Sequence, residues 1–419
     1  MTFFSQIKKK NIKPNYLDGI SILCAFIIPL LVVGPFLPDL IISLLSLWFL
    51  YYSLKNKMYA IYQNPYFYVF ISFCFICILS SILSDHVLLS LKSSLFYFRI
   101  GIFALLISYL IDQNTKILDY FYYSFLVTFS ILALDGYIQY LTGSNLLGFT
   151  IQSNRVSSFF EDELILGSYL SRLSPLFFAL FIARRNKSSF EVYGFFILYS
   201  LITILIFVSG ERAAFALFIL SFVFIILFLS DYKFLRIAAF VFSISIVSMI
   251  ISSNDNFYNR FITAPFKNMA LNDNNKKFLF FTPAHDSLIK TGLNMFLKKP
   301  ILGHGPKSFR IKCQNPIYAD DGAKPCDIHP HNFYIQLLAE TGIIGFSFLA
   351  GLFFFFIYLI LRQIKERFIH NQYWLTDYQI CLLAGLLITI WPITTNGNIF
   401  TNNLMIFYSL QMGFFKKEL

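Results

Sequence analysis

Apolar stretches long enough to cross about 30 Å of hydrocarbon recur along almost the whole chain, and this recurrence restricts the fold more than any motif does. They fall at 17–33, 36–54, 66–83, 87–111, 118–141, 164–182, 192–208, 212–229 and 234–252, and again at 343–361, 379–395 and 399–415. Lipid offers no hydrogen-bond partner to a backbone amide, so each run is expected to form a helix that satisfies its own bonds. Several soluble domains are excluded by composition. Of 419 residues, 57% are hydrophobic and 13% charged, about half the charge a water-facing surface carries. The expected fold is an all-α polytopic membrane protein of about twelve transmembrane helices.

The net charge of +11 is unevenly placed. Lys8, Lys9, Lys10, Lys13, Lys55, Lys57, Lys116, Arg184, Arg185, Lys187, Lys233, Arg236, Arg362, Lys365, Arg367, Lys416 and Lys417 fall in one set of connections, and the alternate short connections hold Arg155 and Arg212. The positive-inside rule then puts both termini in the cytoplasm. The basic N-terminus resembles a signal peptide, but no small-residue cleavage site follows, so the segment is expected to be retained. The long hydrophilic segment 253–330 faces outward and carries Arg260, Lys267, Lys276, Lys277, Lys290, Lys298, Lys299, Lys307, Arg310, Lys312 and Lys324. Long loops are exempt from the orientation rule, so these cations call for an anionic partner such as lipid phosphate, a pyrophosphate or an acidic glycan, not nucleic acid. The chain divides into helices one to nine (1–252), an outward loop with its motif (253–342) and three last helices (343–419).

Cys24, Cys74, Cys77 and Cys381 lie in apolar runs as small hydrophobes. Cys313 and Cys326 flank a polar stretch of the outward loop, where oxidation is permitted, and are expected to form a disulfide. A GxxxxGK[ST] loop is absent from the sequence, which argues against an ATP-driven pump.

Four places hold residues that are costly in or near lipid. In Ser209-Gly210-Glu211-Arg212 the arginine offers planar donors to phosphate oxygens, with Glu211 expected to hold its orientation; a snorkelling interfacial anchor is the plainer reading. In the run from His329 to Gly342, Pro330 keeps His329 extended and His331 falls at the start of a helix. Its positive end disfavours imidazolium, so a neutral His331 can act as a general base, and free amides suit an anion. A capping pair of interfacial histidines is the alternative, and without a carboxylate or third histidine at ligand spacing no metal is expected. A helix from His285 to Phe296 is followed by Gly303-His304-Gly305-Pro306, whose glycines let backbone approach a ligand, and then by Arg310. Lys92, Arg99, Asp135 and Arg172 lie within apolar runs and suggest a cavity built for an anion, or else internal pairing to Asp135.

Three motifs resemble the O-antigen ligases and the related O-antigen polymerases: Ser-Gly-Glu-Arg-Ala-Ala at 209–214, Lys-Pro-Ile-Leu-Gly-His-Gly-Pro-Lys-Ser-Phe at 299–309, and the run 329–345. The ligases carry a His separated from a Gly by ten residues, as His331 and Gly342 are. The resemblance covers the second half of the chain; the first half matches in hydropathy alone. It implies a GT-C-like glycosyltransferase of the bacterial inner membrane with its active site on the periplasmic face. The donor it implies is a glycan on undecaprenyl pyrophosphate and the acceptor a lipid A-core sugar hydroxyl, with no cofactor or metal. Carried over by motif, Arg212 binds the pyrophosphate and His331 activates the acceptor. Glu211 and His329 beside them, and Arg172 among the intramembrane charges, are expected to line the substrate. Many members carry an Arg five residues before the position of Lys290, where this chain has His285, so the second phosphate contact falls to His285, Arg310 or Arg260. A polymerase on the same carrier shares these motifs, a protein O-glycosyltransferase is a further variant, and a lipid-linked oligosaccharide flippase is the alternative of another class.

Overall fold

The computed structural model describes residues 14–268 and 281–415. Lys8, Lys9, Lys10, Lys13, Lys276, Lys277, Lys416 and Lys417 therefore lie outside the described residues. Helices succeed one another as α1 (Tyr16–Val33), α2 (Phe36–Lys55), α3 (Pro65–Ile82), α4 (Val87–Gln113), α5 (Lys116–Thr142), α6 (Leu166–Ala183) and α7 (Ser189–Val208). After these come α8 (Arg212–Phe228), α9 (Lys233–Ser253), the loop helix α10 (Pro283–Lys298), α11 (Phe333–Phe368), α12 (Asp377–Thr389) and α13 (Asn402–Phe414). Among the described residues there is no β-sheet, and nine helices are long and apolar enough to cross a membrane. The chain is an all-α polytopic membrane protein. Its apolar helices α8, α12 and α13 are shorter, so three of the about twelve expected spans fall outside those nine.

The physical reason is plain for α12 and α13. Pro392 has no amide hydrogen and disfavours helix at Trp391, so the apolar run that should continue α12 stops being helical at Thr389. Residues 390–401 instead form irregular backbone enclosed by protein, with Thr394, Asn396, Asn398 and Phe400 buried. Helices α6 and α12 pack against each other at the centre, and every residue of α12 from Tyr378 on is buried. Aromatic rings knit α6 to α7, with Phe181 stacked on Phe195 at 3.9 Å between centroids and Phe178 edge-on to Tyr199.

Helix α11 kinks at Gly342 (φ 65°, ψ −166°). A kink frees carbonyls of the turn before it, and the 300–305 turn takes them. His304 N–H donates to Ala339 O (3.1 Å) and Gly305 N–H to Glu340 O (2.8 Å), while Ile343 N–H donates to Pro300 O (2.8 Å). Ser80 and Ser84, at the end of α3, donate to Leu302 O and His304 O, each at 2.6 Å. A Cβ on Gly303 would lie 2.5 Å from the Glu340 carbonyl carbon, and one on Gly342 2.2 Å from Ile301 O. Gly303 thus admits the α11 backbone, and Gly305 the Ser84 and Ser90 side chains, where a ligand was expected.

Candidate active site

The connections α5–α6, α7–α8, α9–α11 and α12–α13 meet at one end of the bundle. Gly210 (φ 70°) turns the α7–α8 hairpin, and two arginines from other connections hold it. Arg155 Nε donates to Ser209 O (3.0 Å) and Arg260 Nε to Gly210 O (2.7 Å), while Arg212 Nη1 lies 3.5 Å from Arg260 O. Glu211 accepts from the Gly167 and Ser168 amides (2.7 and 3.2 Å) and from the Ser168 hydroxyl, with Arg155 at 3.8 Å. Those amides open α6, so Glu211 is an anion seated at a helix N-terminus. The expectation that Glu211 orients Arg212 is corrected: it pins the hairpin to α6 because α6 begins beside it. Burial raises the Glu211 carboxyl above its ordinary range, against the Ser168 hydroxyl and the charges of Arg155 and Arg172. Burial and the nearby Arg155 and Arg212 lower Arg260. Arg155, Arg172 and Arg260 are therefore gathered around one carboxylate, with Arg212 next to Arg260.

The histidines come together close by. Asn332 caps α11, its side chain accepting from Tyr334 N–H (3.0 Å) and Ile335 N–H (3.1 Å). His331 precedes the cap, with φ 53°, and is not at the helix start as the sequence led us to expect. The amides thought free for an anion are taken by Asn332, so the helix end is not what keeps His331 neutral. Burial does so, lowering its ring below the ordinary imidazole value, with Asp327 opposing and Lys324 assisting. The His329 ring lies 4.1 Å from that of His331, and His285 stands edge-on to it at 5.3 Å. Burial and His331 depress His329 to about 4. Burial, His331, Lys324 and Arg212 depress His285, whose Nδ1 is 2.6 Å from the Thr282 hydroxyl at the start of α10. His285 thus feels both His331 and Arg212. Arg310 acts on His329 by its charge alone. Among the described residues no group of three or more His, Cys, Asp or Glu is arranged to hold a metal.

Residues 195–350 match the O-antigen ligase family model. The matched interval holds the hairpin, the 300–305 turn, the three histidines and the Gly342 kink. No curated protein matches the chain. The matched interval leaves out Arg155, Arg172 and the α12–α13 connection, yet Arg155 bonds the hairpin and Asn396 links Arg172 to His331.

Arg172 on α6 donates from Nη2 to Asn396 Oδ1 (3.0 Å), Asn396 N–H donates to His331 O (2.8 Å), and His329 Nε2 is 3.3 Å from Asn396 O. Asn332 Nδ2 donates to Pro392 O (2.8 Å), and Gln336 Nε2 to Asn398 Oδ1 (2.8 Å). Sequence reasoning missed Asn396 altogether. Its signal was the polar run Thr394-Thr395-Asn396-Gly397-Asn398 after Pro392, inside an apolar terminus. The other intramembrane charges do not converge here. Arg99 pairs with Asp39, and Asp135 accepts from Leu146 N–H (2.9 Å) and the Ser158 hydroxyl, so neither the common anion cavity nor the pairing to Asp135 is seen. Helix α4 is interrupted between Ser94 and Phe98, which separates Lys92 from Arg99. Cys313 and Cys326 are joined in a disulfide with Cα atoms 5.0 Å apart.

Proposed function

We propose that the chain is a lipid-linked glycan ligase, a glycosyltransferase of GT-C-like architecture. It moves a glycan from undecaprenyl pyrophosphate to a lipid A-core sugar hydroxyl on the periplasmic face of the bacterial inner membrane. What supports this most is the convergence, inside the interval similar to the O-antigen ligases, of a burial-neutralised His331 and the arginine-wrapped hairpin of Arg212, with His285 under the influence of both. An anionic donor fits four neighbouring guanidinium groups, three of them around one carboxylate that is already engaged with α6.

In the proposed step the acceptor oxygen attacks the anomeric carbon and its proton passes to neutral His331. The bond from that carbon to the pyrophosphate oxygen breaks, and its electron pair leaves on undecaprenyl pyrophosphate. Arg212 stabilises this departing charge, and Arg260, beside it, supplies the second phosphate contact where the family's usual Arg is His285. His329 and Arg172 line the substrate through Asn396, and Arg310 adds positive charge behind His329. A base contributes about 10²–10⁴-fold, and a donor set where charge develops contributes about 3 kcal/mol. No metal or cofactor enters the step.

Deleting the gene and examining both surface lipopolysaccharide and carrier-linked glycan tests the reading. Loss of a ligase leaves bare core with long polymer still on the carrier. Bare core together with single capped units would instead identify a polymerase, which uses the same donor.

A further inference from the structure

Asp327 has no role in the motifs that resemble the ligases, and its carboxylate lies beside the proposed base: Oδ2 is 3.6 Å from His331 Nε2. We propose that Asp327 is the positioning residue of His331, holding the Nε2–H tautomer so that Nδ1 is the basic nitrogen and stabilising the imidazolium formed during transfer. The proposal rests on the reading of His331 as the base.

A neutral imidazole carries one N–H and one lone pair, and a carboxylate opposite one nitrogen selects the tautomer that donates to it. The same carboxylate favours the cation once the proton has arrived, as in acid-oriented histidine bases elsewhere. Asp327 is well fitted to both duties. Burial pushes its carboxyl up, but the Lys324 ammonium and the Ile328 N–H (2.6 Å) bring it down to about 2, so it stays ionised at any working pH. Of the charged groups acting on His331, Asp327 favours its protonation and Lys324 opposes it, while the neighbouring His285 and His329 rings are themselves kept neutral by burial.

The position of Asp327 is also restrained. The preceding residue, Cys326, is bonded to Cys313. Cys313 is buried in a small satellite core with Leu288 and Met295 of α10, Phe309, and Ala339 of α11. The loop that carries Asp327 is therefore tied to the two helices that carry His285 and follow His331. A disulfide at the edge of the loop fixes the carboxylate where a free loop would let it swing away toward water.

The test uses purified full-length protein in lipid with a polyprenyl-pyrophosphate-linked glycan and a lipid A-core acceptor, measuring kcat and KM across pH. Asp327→Asn should lower kcat at least about tenfold with donor KM nearly unchanged. It should also move the acid limb to lower pH, because the imidazolium loses its counter-charge. Asp327→Glu, which keeps the charge, should restore part of kcat and the wild-type limb. Wild-type kcat with an unmoved limb in Asp327→Asn overturns the proposal while leaving His331 as the base. Full activity of His331→Ala defeats the underlying reading instead. Thiol labelling shows whether Asp327→Asn keeps its disulfide. If it does not, Lys324→Gln, at an exposed side chain, decides: its limb should move to higher pH, and an unmoved limb overturns the proposal.

Discussion

The two ends of the bundle treat their cations in opposite ways. At the end where α6 meets α7 and α8 meets α9, Arg184 pairs with Asp119 and Glu191, each at 3.2 Å, and lies over the rings of Tyr122 and Tyr123. Arg236, fully buried, donates to Ile225 O, Ile226 O and Leu229 O and so completes the C-terminus of α8. Every one of these charges is matched by an acid or by a helix end. At the opposite end Arg155, Arg172 and Arg260 share Glu211, which already accepts from the α6 amides, and Arg212 lies beside Arg260. A matched cation holds structure; under the proposed function, cations gathered beyond their acids keep capacity for the anionic donor.

The sharpest break of this contrast is Arg212→Ala. Removing a donor from developing charge should cut transfer at least 100-fold, about 3 kcal/mol, in a purified assay, with the protein still inserted. Arg212→Lys should recover only part, since an ammonium lacks the planar fork. A wild-type rate in Arg212→Ala would show that the surplus charge serves something other than the leaving group. His331→Ala should cost about 10²–10⁴-fold, and wild-type protein should show an acid limb governed by this ring. Its folded value lies below the ordinary 6.5, so the neutral base is fully present at neutral pH. Activity is lost only as pH falls through that lowered value, and a limb above 6.5 would contradict the burial of His331.

How legible this end was in the sequence depended on whether a property was local. Hydropathy is local, and each of the apolar runs contains helix. It counts Trp391 and Ile393 as spanning residues, however, and so overlooked what Pro392 does to the backbone between them. Arg212 and His331 were legible because their chemistry is carried by residue type and motif. The partner of Glu211 was not, since it depends on where α6 starts, and the capping of α11 by Asn332 moved His331 off the helix end by one residue. Asn396 was invisible for the same reason: its contacts with Arg172, His329 and His331 exist only when α6, α11 and the last connection meet.

Between the two ends in effect stands Gly342, which kinks α11 against the 300–305 turn. Gly342→Ala should lower thermal stability and the yield of folded protein. A left-handed backbone costs about 1–3 kcal/mol, and the added Cβ would press on Ile301 O at 2.2 Å. That contact is backbone, which cannot rotate aside, so the 300–305 turn must move and take Phe309 with it. Normal melting in Gly342→Ala would mean that the turn is not docked on the kink.

The smallest effect is expected at the matched end. Arg184→Gln removes two ion pairs and two cation–π contacts, but the pairs reach acids that are partly open to water, where each is worth about 0–1 kcal/mol and is screened by salt. The variant should melt slightly lower, lose most of that difference in high salt and turn over at the wild-type rate. A large loss of turnover with unchanged melting would tie this end to catalysis and remove the distinction between structural and surplus cations. The expected result, set beside the collapse of Arg212→Ala, makes location and partnership, not charge itself, the property that marks the site.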